Sequence, residues 1–494
     1  MKFNLSLENG SPKEIIRRIL SSKYFPFFTA AFFILCYYPG WDMAMIYYAA
    51  VVGIAMVLLL DDLTPLISML LFMCVMITAQ HSPSQTLDSS DYFTRPEIYW
   101  QAIILIALYI IAMGYRVFYK RRTSFRPTPI FWGLCLLALA FLLNGAGSSS
   151  YTVSDLMYGV FMAFFFLFIF VLFSGNVKLC EENYIKISYA FLAFSVLLVV
   201  ELAVKYISVC DMFMQYLGGE VSYNHFKEQI SFGWGIWNTM GMLLCLCIPA
   251  MFMLASKSKH GYLFVIYGAV LALCAVLSMS RQAMLGAVAA FAISSVGVLI
   301  KSRTRLQNAI VIGVVVVAVI IFAAVKREAV CSAVLGMMES LFSDEGVLTG
   351  NGRVSLVNYA VTYFAANPAF GSGFFMALHD VDLTNLSFVP EFACNTFAEM
   401  LGACGMFGLI AYCIHRIQTI MAFAQKPDWN KFYIAAIVVV LLLLSLIDNH
   451  IFNIFPTMIY SGLLAFAVGE EKLAYPAFRL KHKKVKKEED KGEE

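Results

Sequence analysis

Charge is what this chain has least of. Only 14% of its 494 residues are Asp, Glu, Lys or Arg, against roughly 25% in an ordinary soluble domain. Hydrophobic residues make up 61%. A soluble fold still needs a polar exterior, so this composition excludes one. Cysteine is present twelve times but lacks the short polar spacing of a zinc or thiol-redox motif. Most of the cysteines, Cys74, Cys135, Cys245, Cys247, Cys274 and Cys413 among them, fall inside apolar runs and read as small buried hydrophobes. No internal repeat is visible. No small-residue cleavage site follows the basic residues Lys13, Arg17, Arg18 and Lys23, so the N-terminus reads as a retained signal anchor.

What the chain does have is apolar length. Phe (43), Tyr (25) and Met (25) are abundant, as lipid-facing and interfacial packing requires. Runs of about 17–25 apolar residues can cross a bilayer core as helices, which satisfy their own backbone. Fourteen such runs fall near 24–40, 42–60, 63–80, 98–116, 128–145, 152–174, 184–206, 234–255, 261–279, 282–300, 308–325, 396–414, 431–447 and 450–469. With the N-terminus inside, about 28 of the 35 basic residues lie in cytoplasmic segments, as the positive-inside rule demands. Those left outside are Arg95, Lys205, Lys227, Arg281, Lys326, Arg327 and Arg353. The net charge of +3 decides nothing by comparison.

The expected fold is all-α: a polytopic transmembrane bundle of about 12–14 spans with a large, partly helical extracytoplasmic loop. Its parts are a cytoplasmic N-terminus (1–23), an N-terminal bundle (24–230) and a transmembrane core (231–325). The large loop (326–395), the last membrane helices (396–470) and a charged cytoplasmic tail (471–494) complete it. The loop is rich in aromatic and β-branched residues, which argues for order, and a long ordered loop is usually functional. Within it, 354–366 has helical periodicity.

Four features on the outer side could carry chemistry. Ser278-Met279-Ser280-Arg281 joins two spans, and an arginine there either snorkels or meets an anion. Gly350-Asn351-Gly352-Arg353, then Asn367-Pro368 and Gly371-Ser372-Gly373, read either as turns or as backbone that approaches a ligand closely beside a phosphate-matched guanidinium. Asn395, Glu399 and Gly402 share one helix face. Glu399 is either a membrane carboxylate with a function or an end-of-helix cap. Trp234, Trp237 and Asn238 open the eighth span; the tryptophans suit an interfacial belt, and Asn238 does not.

Taken in order, these features resemble the O-antigen ligase and polysaccharide polymerase family of bacterial membrane glycosyltransferases. Asn238, the Ser-x-Ser-Arg turn to Arg281, Gly350 to Arg353, and Asn367-Pro368 through Gly373 match its pattern. So do Asn395, the nine residues 396–404, and Gly405 with Gly408. The likeness covers roughly 230–415. It implies a GT-C-like membrane enzyme that needs neither cofactor nor metal. The donor it implies is a glycan on a polyprenyl pyrophosphate, undecaprenyl in most bacteria, and the acceptor is a sugar hydroxyl. Arg281 and Arg353 would hold the pyrophosphate, with Asn238, Ser280, Gly352, Asn395 and Cys394 contributing to substrate binding.

One departure stands out: Cys394 occupies the position where the family usually has histidine. A thiol of ordinary pKa is a poor base at neutral pH. His379 in the same loop is the first substitute, with His225 and His450 behind it. Asp380, Asp382, Glu391 and Glu399 are the carboxylate alternatives. Three functions follow from this reading: a repeat-unit polymerase or ligase serving capsule, exopolysaccharide or O-antigen assembly, a polysaccharide flippase, and a non-catalytic assembly protein. The partners implied are the bilayer, a flippase and a chain-length regulator, and no nucleic acid.

Overall fold

The computed structural model describes residues 11–77, 96–116, 128–149, 151–230, 237–325, 327, 353–375, 395–425 and 427–468. Every regular element among them is helical. The helices are α1 (Pro12–Leu20), α2 (Phe25–Tyr37), α3 (Asp42–Leu59), α4 (Leu66–Ile77), α5 (Pro96–Gly114), α6 (Pro129–Leu142), α7 (Val153–Ser174), α8 (Glu181–Ser208) and α9 (Cys210–Leu217). They continue with α10 (Tyr223–Gln229), α11 (Trp237–Lys257), α12 (Gly261–Leu277), α13 (Arg281–Lys301), α14 (Arg305–Val325), α15 (Arg353–Ala366), α16 (Thr396–Ala424), α17 (Trp429–Ser445) and α18 (Ile454–Leu464). A short 3₁₀ turn, His450–Phe452, separates the last two.

Each of the fourteen apolar runs coincides with a helix, so the polytopic helical bundle is borne out. Length gives a smaller count of full crossings. Among the described residues, α7, α8, α11, α13, α14 and α16 are long and apolar enough to span, and α1 with α2, bent by 81°, makes a seventh if taken together. The apolar helices α6, α12, α17 and α18 have 17 residues or fewer, under about 26 Å at 1.5 Å per residue, short of a core of about 30 Å. The expected spans counted residues that the chain uses for turns: the run ending at 145 leaves its helix at Leu142, and the final run opens with the 3₁₀ turn. The first-turn chemistry is orthodox. Thr128, Thr152, Ser280, Asn395 and Asp428 each cap a helix through a side-chain oxygen.

The core forms around α11, every residue of which from Met240 to Ser256 is buried. A helix apolar on all sides belongs inside, and α8, α12, α13 and α17 surround it. At the other extreme, α14 buries only Asn308 and Ile312, and its Val- and Ile-rich surface is left for lipid. The bundle has two distinct ends. At one, Lys257 of α11 pairs with Glu181 of α8 at 2.9 Å, and Ser302 reaches the Ala255 carbonyl at 3.4 Å. At the other, Tyr206 donates to the Leu277 carbonyl at 2.6 Å, close to the Ser-x-Ser-Arg turn.

Arg116, just past α5, is 1% exposed. Its guanidinium donates to the carbonyls of Val57 (2.7 Å), Leu60 and Asp61 (2.8 Å), and to Asn176 Oδ1 (2.7 Å). A cation thus closes the C-terminus of α3, where the helix dipole is negative, and ties it to the α7–α8 link. Arg116→Leu leaves several buried acceptors unmatched, at about 1–3 kcal/mol each. Detergent-solubilised protein carrying it is expected to melt at clearly lower temperature than wild type, which a thermal unfolding curve checks. An unchanged midpoint would contradict the closure.

Candidate functional site

The α12–α13 turn is shaped by four short contacts. Ser278 is buried and returns its hydroxyl proton to the Ala275 carbonyl at 2.7 Å. Met279 sits at φ 58°, the one non-glycine in the left-handed region among the described residues, a conformation that costs energy and needs support. Tyr223 of α10 supplies it, its hydroxyl donating to the Met279 carbonyl at 2.5 Å. Ser280 then caps α13 through Ala283 N (3.4 Å) and donates to Asn238 Oδ1 at 2.8 Å. Helix α11 lies this close because Gly241 faces the turn; a Cβ there would stand 2.3 Å from that of Ala283.

From Asn238 the network runs on to the link between α17 and α18. Asn238 Nδ2 donates to Asp448 Oδ2 at 2.8 Å. Gln282 Nε2 reaches the same oxygen at 3.2 Å and His450 Nε2 at 2.9 Å. Next to them, Asn449 Nδ2 donates to Glu399 Oε2 at 3.3 Å. Asn395 is fully engaged as a cap: its Oδ1 accepts from Phe397 N (2.9 Å) and Ala398 N (3.2 Å), and its Nδ2 donates to the Leu446 carbonyl (3.0 Å). Exposure separates these groups. Glu399 and Ser280 are fully buried and His450 is 2% exposed, whereas the Asp448 side chain is 26% exposed. Arg281, the first residue of α13, is half-buried with its guanidinium 5.6 Å from the Tyr223 ring centre. Burial pushes the Tyr223 phenol pKa up, and the neighbouring Arg281 cation opposes the shift.

The glycine motifs bring backbone to backbone. Helix α16 breaks at Gly405 (φ 64°, ψ −162°), and the segment 367–375 fills the break. Ser372 N and Gly373 N donate to the carbonyls of Gly402 (2.8 Å) and Ala403 (3.1 Å). Met406 N and Phe407 N donate to those of Pro368 (2.9 Å) and Ala369 (3.2 Å). A Cβ at Gly405 would lie 2.6 Å from the Ala369 carbonyl carbon and oxygen. The inserted segment is also held to the α6–α7 link: Asn367 Nδ2 donates to the Ala146 carbonyl (3.0 Å), and Asp155 Oδ1 accepts from Phe375 N (2.8 Å). Ala360 of α15 packs with Ala398 of α16. The same offset in sequence recurs where Met406 meets Pro368, so the helices run in one direction and Arg353 opens α15 at the Asn395 end.

Of the residues singled out in the sequence, Asn238, Ser280, Arg281, Asn395 and Glu399 thus come together at one end, and Arg353 begins the helix beside them. Gly352, His379 and Cys394 lie outside the described residues. The sequence reading missed Gln282, Asp448 and Asn449 and ranked His450 low. Their signal was the polar triplet Asp448-Asn449-His450, set between two apolar runs. For Asn238, Ser280 and Asn395 the polar atoms are spent on protein partners, which makes them shapers of the site. Among the described residues, no group of three His, Cys, Asp or Glu side chains converges in a way that could hold a metal.

Residues 266–413 match the family model described as O-antigen ligase. The chain thus carries a domain similar to the O-antigen ligase family, within a membrane protein of many apolar helices. Comparison with curated proteins found no match. The matched O-antigen ligase domain contains Ser280, Arg281, Arg353, Asn395, Glu399 and the broken helix, but not Asn238 or Asp448 to His450, which bond to it from either side. Gly405→Ala combines an unfavourable φ with a backbone clash, together worth about 2–4 kcal/mol. It is expected to lower the thermal midpoint of the solubilised protein; an unaltered midpoint would show that the inserted segment does not depend on this glycine.

Proposed function

We propose that the chain is a glycosyltransferase that moves a polyprenyl-pyrophosphate-linked glycan onto an acceptor sugar at the outer face of the cytoplasmic membrane, without a metal ion. A repeat-unit polymerase is the preferred form and an O-antigen-type ligase the second, because nothing in the chain is specialised for one lipid acceptor. The observation that carries this reading is the pairing of two accessible groups at one end of the bundle. Arg281 and Asp448 are linked through the bonded chain Ser280–Asn238–Asp448, on the O-antigen ligase domain and its flank. The outward orientation is supported by Lys257, Lys301, Arg305 and Lys431, which gather at the opposite end.

In this mechanism the acceptor hydroxyl oxygen attacks the anomeric carbon of the donor. The new C–O bond forms as the bond to pyrophosphate breaks, and polyprenyl pyrophosphate leaves with the electron pair. Charge grows on the leaving group, and fixed cations beside it stabilise the transition state. Arg281 suits that task as a planar, two-pronged donor at the start of a helix, where backbone N–H groups also favour an anion. Arg353 opens α15 in the same way. The hydroxyl proton goes to Asp448, whose Oδ2 is held by Asn238 and Gln282 and whose side chain is open to the surface. Glu399 is too deeply buried for that role and instead anchors Asn449.

Arg281→Ala and Arg353→Ala are each expected to reduce transfer about 10²–10³-fold, with Asp448→Asn at least as severe. The assay is transfer from lipid-linked donor to acceptor in proteoliposomes, on protein whose melting curve matches wild type. Wild-type rates in both arginine variants would remove the pyrophosphate clamp.

A further inference from the structure

We propose that His450 is the positioning residue of Asp448, and that it sets the pH range in which this carboxylate can take the acceptor's proton. This rests on the transferase reading above. It gives the site an imidazole that position 394, a cysteine here, does not supply.

Gln282 stands between the two residues. Its side-chain nitrogen lies 3.2 Å from Asp448 Oδ2 and 2.9 Å from His450 Nε2. An amide NH₂ has two hydrogens, and the carboxylate oxygen can only accept, so one hydrogen goes to each neighbour. His450 Nε2 must then be an acceptor, which places the ring proton on Nδ1 and leaves the imidazole neutral. In this state Asp448 Oδ2 receives two neutral hydrogen bonds, from Asn238 and Gln282.

Protonation of His450 reverses the arrangement. Nε2–H can no longer accept from Gln282, and it stands 3.9 Å from Asp448 Oδ2, within ion-pair range. A cation at that distance stabilises the carboxylate and makes it a poorer proton acceptor. Histidine is the side chain that ordinarily makes this change near neutrality. The other ionisable groups around the ring among the described residues are few. Glu399 of α16 is linked through Asn449, Arg281 precedes Gln282 on α13, and Tyr158 of α7 bonds the Phe452 carbonyl. The Asp448 carboxylate lies 3.9 Å from Nε2. The proton balance is simple: one proton passes from acceptor hydroxyl to Asp448 per turnover and is released to solvent, with His450 neutral throughout.

Two substitutions test this with opposite signs. His450→Gln keeps a hydrogen-bonding side chain but cannot acquire charge. Its plateau rate is expected within about tenfold of wild type, with the acid-side fall in kcat/KM moved down by at least about one pH unit. Gln282→Leu removes the donor that favours neutral His450. Its acid-side fall is expected to move up by a similar amount. Both are measured as pH profiles of lipid-linked glycan transfer in proteoliposomes, with melting curves run in parallel. Equal loss at every pH in His450→Gln, or shifts of the same sign in both variants, would overturn the proposal. If wild-type protein transfers glycan at no pH, the transferase reading itself fails, and this inference with it. Normal wild-type transfer with unshifted profiles in the variants overturns the inference alone.

Discussion

Lipid offers a polar group no water, and that constraint organises this molecule. A backbone or side-chain group left unmatched in the hydrocarbon costs several kcal/mol, and several of the buried polar residues are gathered into bonded sets. Arg116 closes the end of α3 against four oxygens. Glu201, 4% exposed on α8, receives the hydroxyls of Tyr37 and Tyr38 at 3.2 and 3.3 Å. Asp155 takes its own capping bonds and the Phe375 amide. The break in α16 obeys the same rule. Four backbone bonds to the 367–375 segment replace what the helix loses at Gly405, so the irregular backbone stays satisfied.

The site is the bonded set that reaches the surface. Its inner members, Ser280, Gln282, Glu399, Asn449 and His450, are buried, and each holds a neighbour in place. Its outer members, Arg281 and Asp448, keep part of their side chains accessible. Preorganised charge on a rigid polar base is what the proposed transfer, with charge growing on a pyrophosphate, would require. The O-antigen ligase domain at 266–413 does not complete this set by itself. Asn238 arrives from α11, Asp448 to His450 from beyond α17, and the anchor for the inserted segment from the α6–α7 link. The first half of the chain is therefore a structural partner of the site.

Much of this was legible in the sequence. The apolar runs located the long apolar helices among the described residues, and the helical period of 354–366 located α15, because both depend on local composition. Motif order brought Asn238, Ser280, Arg281, Asn395 and Glu399 to one end. The roles of those residues depend on partners distant in sequence, and there the reading fell short. Asn395 reads as a ligand until its two cap bonds and its tie to Leu446 are seen. Glycines that suggest an approach to substrate turn out to seat one backbone against another. Gln282 and Asp448 are 166 positions apart, and no local pattern reports such a contact. Apolar runs do not show where a helix stops, so helix ends such as Leu142 appear only in the structure.

The central claim is that the lipid-linked donor binds at the Arg281–Asp448 end of the bundle. Photocrosslinking tests it most directly. A benzoylphenylalanine is placed either at Tyr223, beside Arg281, or at Gln425, at the opposite end. Each protein is irradiated in proteoliposomes with a radiolabelled polyprenyl-pyrophosphate glycan. Labelling at position 223 that is competed by unlabelled donor is expected, with none of that kind at 425. Competed labelling at 425 with none at 223 would contradict it.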